Sequence, residues 1–114
     1  MEISFVYVTT KDREEAQCIG KALLERKLAA CINILESVES MYWWDGAIQH
    51  ETEAVMIAKT RSELVEAVTQ TIKEVHSYTC PCIVAWPITQ GNPDFLKWAS
   101  EETKPLSVQS VRVP

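Results

Sequence analysis

The chain of 114 residues, 46% hydrophobic and 24% charged, suits one globular domain over residues 1–114 with a sizeable core. A net charge of −5 speaks against binding nucleic-acid phosphates, which needs clustered Lys and Arg, and no apolar run approaches the roughly 20 residues that cross a bilayer. The first ten residues lack the basic start and cleavage site of a signal peptide, so the expected location is cytoplasmic, where the four cysteines are not expected to form a disulfide framework.

Residues 3–9 alternate and are rich in Phe, Val, Tyr and Thr, which predicts a first strand. Asp12, with Glu15 three residues on, has the pattern of a capping box. The helix it starts puts Ala16, Ile19 and Leu23 on one stripe, lets Gly20 approach a neighbour closely, and ends in Arg26 and Lys27, suited to the negative end of its dipole. Residues 28–60 then read as two long strands joined by a tight turn at Asp45-Gly46. The outer runs, 29–35 and 54–58, are so dense in apolar residues that both faces call for cover, by helices or by a neighbouring subunit. The middle is polar. Glu36, Ser37, Glu39 and Ser40 lie opposite His50, Glu51, Thr52 and Glu53, and should extend past the core.

Thr60 and Glu63 repeat the capping pattern, and Leu64, Val68, Ile72 and Val75 give a helical stripe that ends at His76. Pro81 and Pro87 bracket a short strand over 82–86. Asn92 as N-cap and Pro93 at the first helical position start a third helix with Phe95, Leu96 and Trp98 on its apolar side. The tail, 106–113, alternates imperfectly and is expected as a late edge strand. This order predicts an α+β fold: a ferredoxin-like split βαβ sandwich with an antiparallel sheet, a long central hairpin, a C-terminal helix and a tail strand. Helices cover one face of such a sheet, and oligomerisation is the economical cover for the other.

The densest set of reactive side chains is His76, Tyr78, Cys80 and Cys82. Cys80 and Cys82 are two apart, so in extended backbone they point the same way. With the His76 imidazole they would suit copper or zinc, although a closed zinc site usually takes four ligands; the plainer alternative is that these cysteines are small buried hydrophobes. A His76–Cys80 nucleophilic pair lacks a visible orienting group and oxyanion site, which argues against a hydrolase. Glu51 and Glu53 have an acid–base spacing that a solvated strand face explains equally well. Cys31 reads as core, and Cys18 has no assignment. Tyr42, Trp43 and Trp44 either stack on a ligand or, the favoured reading, anchor a subunit interface. Lys59, His50 and Arg26 would make an anion site only if the fold brought them together.

Together these residues resemble a known family. The segment from Lys27 to Asn33 is similar to the (R/K)LAACxN segment of the CutA divalent-cation-tolerance proteins. Ser40, Tyr42, Trp44 and Gly46 resemble its S-x-Y-x-W-x-G turn, and Glu53, Lys59 and Thr60 its continuation. His76, Tyr78 and Pro81 resemble its H-x-Y-x-x-P motif, and Pro87, Ile88, Gly91, Asp94, Leu96 and Trp98 its closing segment. The resemblance implies a ferredoxin-like homotrimer shaped like the PII signalling proteins, binding copper or another divalent metal ion in metal tolerance, with no enzyme reaction and no organic cofactor. The chain departs from the pattern at Thr79 and Cys82, which stand at acidic positions, at the added thiol of Cys80, and at Val8, where some members carry Cys. The expected metal ligands are therefore His76, Cys80 and Cys82, a soft set favouring Cu(I) or Zn²⁺. Two other readings are a PII-like regulator holding a small anion or nucleotide between subunits near Lys59, and a structural trimer acting through a protein partner.

Overall fold

The computed structural model describes residues 2–103. Along the chain run β1 (Ile3–Thr10), α1 (Arg13–Glu25), β2 (Cys31–Trp44), β3 (Ala47–Arg61), a short 3-10 turn (Ser62–Leu64), α2 (Val65–Val75), β4 (Ile83–Ile88) and α3 (Pro93–Glu102). The four strands form one sheet in the order β2-β3-β1-β4, every neighbouring pair antiparallel. This is the expected ferredoxin-like α+β sandwich; the predicted tail strand lies outside the described residues.

Alternation along the strands separates two faces. Val6, Val8, Met56 and Ala58 are buried on the first, against Ala16, Ile19 and Leu23 of α1, Leu64, and Val68 and Ile72 of α2. Phe5, Tyr7, Thr9, Ile57 and Lys59 follow the opposite alternation. α3 meets this second face at one end, where the Arg61 Nε donates to the Ser100 carbonyl at 2.9 Å. Leu35, Val84 and Trp86 remain exposed.

Local chemistry explains most of the boundaries. The Asp12 carboxylate accepts the Glu15 N–H at 2.8 Å and caps α1 as its sequence predicts. At the other end the Lys27 N–H reaches the Leu24 carbonyl and the Leu28 N–H the Leu23 carbonyl, a Schellman closure with Lys27 in the left-handed region at φ 60°. Arg26 and Lys27 thus lie beyond the last helical turn. Gly20 lets α1 sit on β2: a Cβ there would stand 2.8 Å from the Ile32 Cγ2. Asp45 and Gly46, both at positive φ, form the two-residue turn between the paired Trp44 and Ala47.

Three expectations need correction. No side chain caps α2: β3 runs on to Arg61, and the Thr60 hydroxyl is spent on the Leu28 carbonyl at 2.6 Å. Cys31 is half-buried rather than core, because β2 is an edge strand. The pairing of β2 with β3 also slips between Leu35 and Val38, where Glu36 and Ser37 together oppose Ala54 in a β-bulge.

Candidate functional site

Beyond the bulge, Val38, Ser40, Tyr42 and Trp44 pair with Glu53, Glu51, Gln49 and Ala47 on the second face. The segment from Ser77 to Cys82 passes over the same end of the sheet, and together they enclose an open cleft of ≈ 840 Å³. Tyr7 and Thr9 contribute from β1, Tyr42 and Trp44 from β2, Glu51 and Glu53 from β3, and Tyr78, Cys80 and Cys82 from the crossing segment.

His76 fixes that crossing segment. Its ring accepts the Tyr78 N–H on Nδ1 at 3.0 Å, which leaves the proton on Nε2 to be donated to the Thr9 carbonyl at 2.8 Å. Its side chain is fully buried. Glu15 completes the anchor, with one carboxylate oxygen accepting the Lys11 N–H at 2.9 Å and the other the Ser77 N–H at 2.8 Å. Partial burial works to raise the Glu15 pKa, but the bonds from Lys11 and Ser77 outweigh it and hold the group below the ordinary carboxylate value. Sequence reasoning missed this second duty of Glu15; its only local signal is the capping pattern.

The cleft carries two tyrosine–carboxylate pairs. The Tyr78 hydroxyl donates to Glu53 at 2.7 Å and the Tyr42 hydroxyl to Glu51 at 2.8 Å. Glu53 is 6% exposed, so the solvated-face reading fails there. Burial, the bond to Glu53 and the nearby carboxylates push the Tyr78 phenol well above its ordinary value. The bond to Glu51 raises Tyr42. Burial and the Glu53 charge likewise push the Cys82 thiol up.

Cys80 and Cys82 are exposed and line the cleft, while both ring nitrogens of His76 are engaged elsewhere. Among the described residues no three His, Cys, Asp or Glu side chains are grouped so as to hold a metal ion. The three cations considered for an anion site are dispersed. Arg26 donates to Thr71 at 3.5 Å, His50 lies 3.0 Å from Glu39, and Lys59 bonds Asn33 and sits 5.8 Å from the Phe5 ring and 5.9 Å from that of Phe95. Trp43 is 72% and Trp44 53% exposed. No helix among the described residues is long and apolar enough to cross a membrane.

Comparison with known proteins places this geometry. The family model described as CutA1 divalent ion tolerance protein matches residues 4–102. The divalent-cation tolerance protein CutA of Archaeoglobus fulgidus is 50% identical over 98 residues, which cover 86% of this chain and 95% of that protein. The chloroplastic protein CutA 1 of Oryza sativa subsp. japonica is 39% identical over 99 residues, covering 87% of this chain and 56% of the longer rice protein. The solved structure of the periplasmic divalent cation tolerance protein CutA from Archaeoglobus fulgidus superposes with a TM-score of 0.87 at 48% identity, covering 90% of this chain and 99% of that one.

Proposed function

Because this chain belongs to the CutA1 divalent ion tolerance family, we propose that it serves divalent-cation tolerance by binding the ion itself, as a cytoplasmic homotrimer of single-domain subunits over residues 1–114 that catalyses no reaction. The donor chemistry of the cleft carries this reading. Glu51 and Glu53 supply hard oxygen donors from the sheet, and Cys80 and Cys82 supply soft sulfur donors from the segment that crosses it. The two thiols make copper the proposed ion, taken up as the divalent ion and held as Cu(I) in a reducing compartment, with Zn²⁺ the competitor.

Cys80 and Cys82 are open to an ion as they stand. His76, the third expected ligand, joins them only by releasing the Thr9 carbonyl or the Tyr78 N–H. One chain groups no three donors among its described residues, so an ion that needs more than the two thiolates, as Zn²⁺ does, takes its remaining ligands from such a movement or from a neighbouring copy. That need supports the trimer, as do the exposed Leu35, Val84 and Trp86 on the second face. Four free cysteines support a reducing compartment, although the rice relative is named chloroplastic and the archaeal one periplasmic.

Native mass spectrometry of the metal-free protein, titrated with Cu(I) under reducing conditions, tests both parts. The expected spectrum shows three chains with one ion per subunit, and a Cys80→Ser, Cys82→Ser variant that keeps the trimer but loses the ions. Unchanged loading of the variant rejects the ligand set, and a stable monomer rejects the assembly.

A further inference from the structure

Cys80 and Cys82 are free, exposed and separated only by Pro81, and both line the same cleft. Cysteine is among the residues most often buried, so two exposed thiols in one cleft are open to a reagent rather than spent on packing. We propose that Cys80 and Cys82 form a reversible dithiol–disulfide couple, a modification site for low-molecular-weight disulfides, whose closure withdraws both thiols from the cleft.

The spacing permits closure. Two residues of fully extended chain span at most about 7 Å, and a disulfide takes Cα atoms about 4.4–6.8 Å apart, so a small contraction suffices. The backbone is bent rather than extended through Cys80, and Pro81 fixes its own φ near the middle of the ring to be closed. The ring is small, and small strained disulfides on a surface are the readily reduced, regulatory kind rather than structural staples. The other two cysteines stand elsewhere: Cys18 on α1, and Cys31 on β2 with its Sγ 3.9 Å from the Lys59 Nζ.

The chemistry balances with a disulfide R–S–S–R as the oxidant. One cysteine thiolate attacks it, breaking the S–S bond and expelling one R–S⁻ to leave a mixed disulfide on the protein. The second thiolate attacks the cysteine sulfur of that mixed disulfide, forming the Cys80–Cys82 bond and expelling the second R–S⁻. The two protons lost by the cysteines end on the two released thiols. The protein gives up two electrons and the oxidant takes them up.

The couple depends on the thiols alone and not on the ion-binding reading, so it is tested on metal-free protein with chelator present. The folded chain is equilibrated in glutathione and glutathione disulfide mixtures, acid-quenched, alkylated with N-ethylmaleimide and digested with trypsin. The tryptic peptide over residues 74–97 carries Cys80 and Cys82 and no other cysteine. In reducing mixtures it takes two alkyl groups. In oxidising mixtures it takes none and is lighter by two hydrogens, while the intact protein runs as a single chain on a non-reducing denaturing gel. Cys80→Ser or Cys82→Ser loses the closed form and accumulates the glutathione adduct on the remaining thiol. Two alkyl groups retained throughout, accumulation of the adduct on the parent, or pairing with Cys18, Cys31 or a second chain overturns the proposal.

Discussion

Tyr78→Phe removes one oxygen atom and tests how the cleft is held together. The Tyr78 hydroxyl donates at 2.7 Å to Glu53, whose residue is 6% exposed, so its loss leaves a nearly buried carboxylate oxygen without that donor. Hydrogen bonds to charged groups contribute about 1.5–3 kcal/mol. The open cleft beside Glu53 admits some replacement by water, which favours the lower half of that range, about 2 kcal/mol. With a urea m-value of roughly 2 kcal/mol/M, the midpoint at pH 7 falls by about 1 M at fixed protein concentration. The pH dependence supplies a second reading. Because the folded phenol titrates above its unfolded value of about 10, its contribution is whole below pH 10 and is lost as the pH rises through the folded value. Unfolding curves from pH 7 to pH 11.5 should therefore show parent and variant converging above pH 10. A variant with the parent's midpoint at pH 7, or a gap that persists undiminished at pH 11.5, would refute this account.

Three further substitutions probe the scaffold, each read from denaturation midpoints. Gly20→Ala should lower stability by about 1–2 kcal/mol, since overpacking against the Ile32 Cγ2 outweighs the helix propensity gained, and the same substitution should cost less when made in an Ile32→Ala background. Lys27→Gly should raise stability by roughly 0.5 kcal/mol, because relief of the left-handed backbone exceeds both the added unfolded-state entropy and the exposed 3.9 Å pair with Glu102. Asp12→Ala should cost about 1 kcal/mol, as the Glu15 N–H loses its partner.

Features that depend on a few consecutive residues were legible in the sequence. Asp12 caps α1, Asn92 accepts the Asp94 N–H at 3.1 Å with Pro93 beside it, and Asp45-Gly46 makes the turn, because each sets its own backbone or satisfies its own helix end. Features decided by distant partners were not. Thr60 has the sequence of a cap, yet a carbonyl 32 residues away claims its hydroxyl. His76 has the chemistry of a ligand, yet the Thr9 carbonyl and the Tyr78 N–H occupy its ring. Glu53 sits in a polar run that reads as solvated, yet it is nearly buried and takes the Tyr78 hydroxyl of the crossing segment. Cys31 reads as core from its apolar neighbours, but its strand is at the edge of the sheet. Glu36 and Ser37 carry no glycine or proline to announce the bulge; it is a property of the pairing with Ala54 and not of the segment.

That bulge acts as a spatial reading frame for everything on β2 that follows it. Upstream, the odd-numbered Cys31, Asn33 and Leu35 stand beside Lys59, Ile57 and Val55; downstream, the even-numbered Ser40 and Tyr42 stand beside Glu51 and Gln49. Deleting Glu36 or Ser37 would leave the downstream pairs as they are, whereas flattening the bulge with every residue kept would run the count on from Leu35 and Val55 and exchange the two sides of the hairpin. Glu39 would then stand opposite Glu51, like charge against like, instead of opposite Thr52, and Met41 and Trp43 would take the cleft-side places of Tyr42 and Trp44. One residue without a partner of its own thus decides which of two interleaved messages in the same strand, one of tyrosine, serine and tryptophan and the other of glutamate, methionine and tryptophan, is presented to the carboxylates.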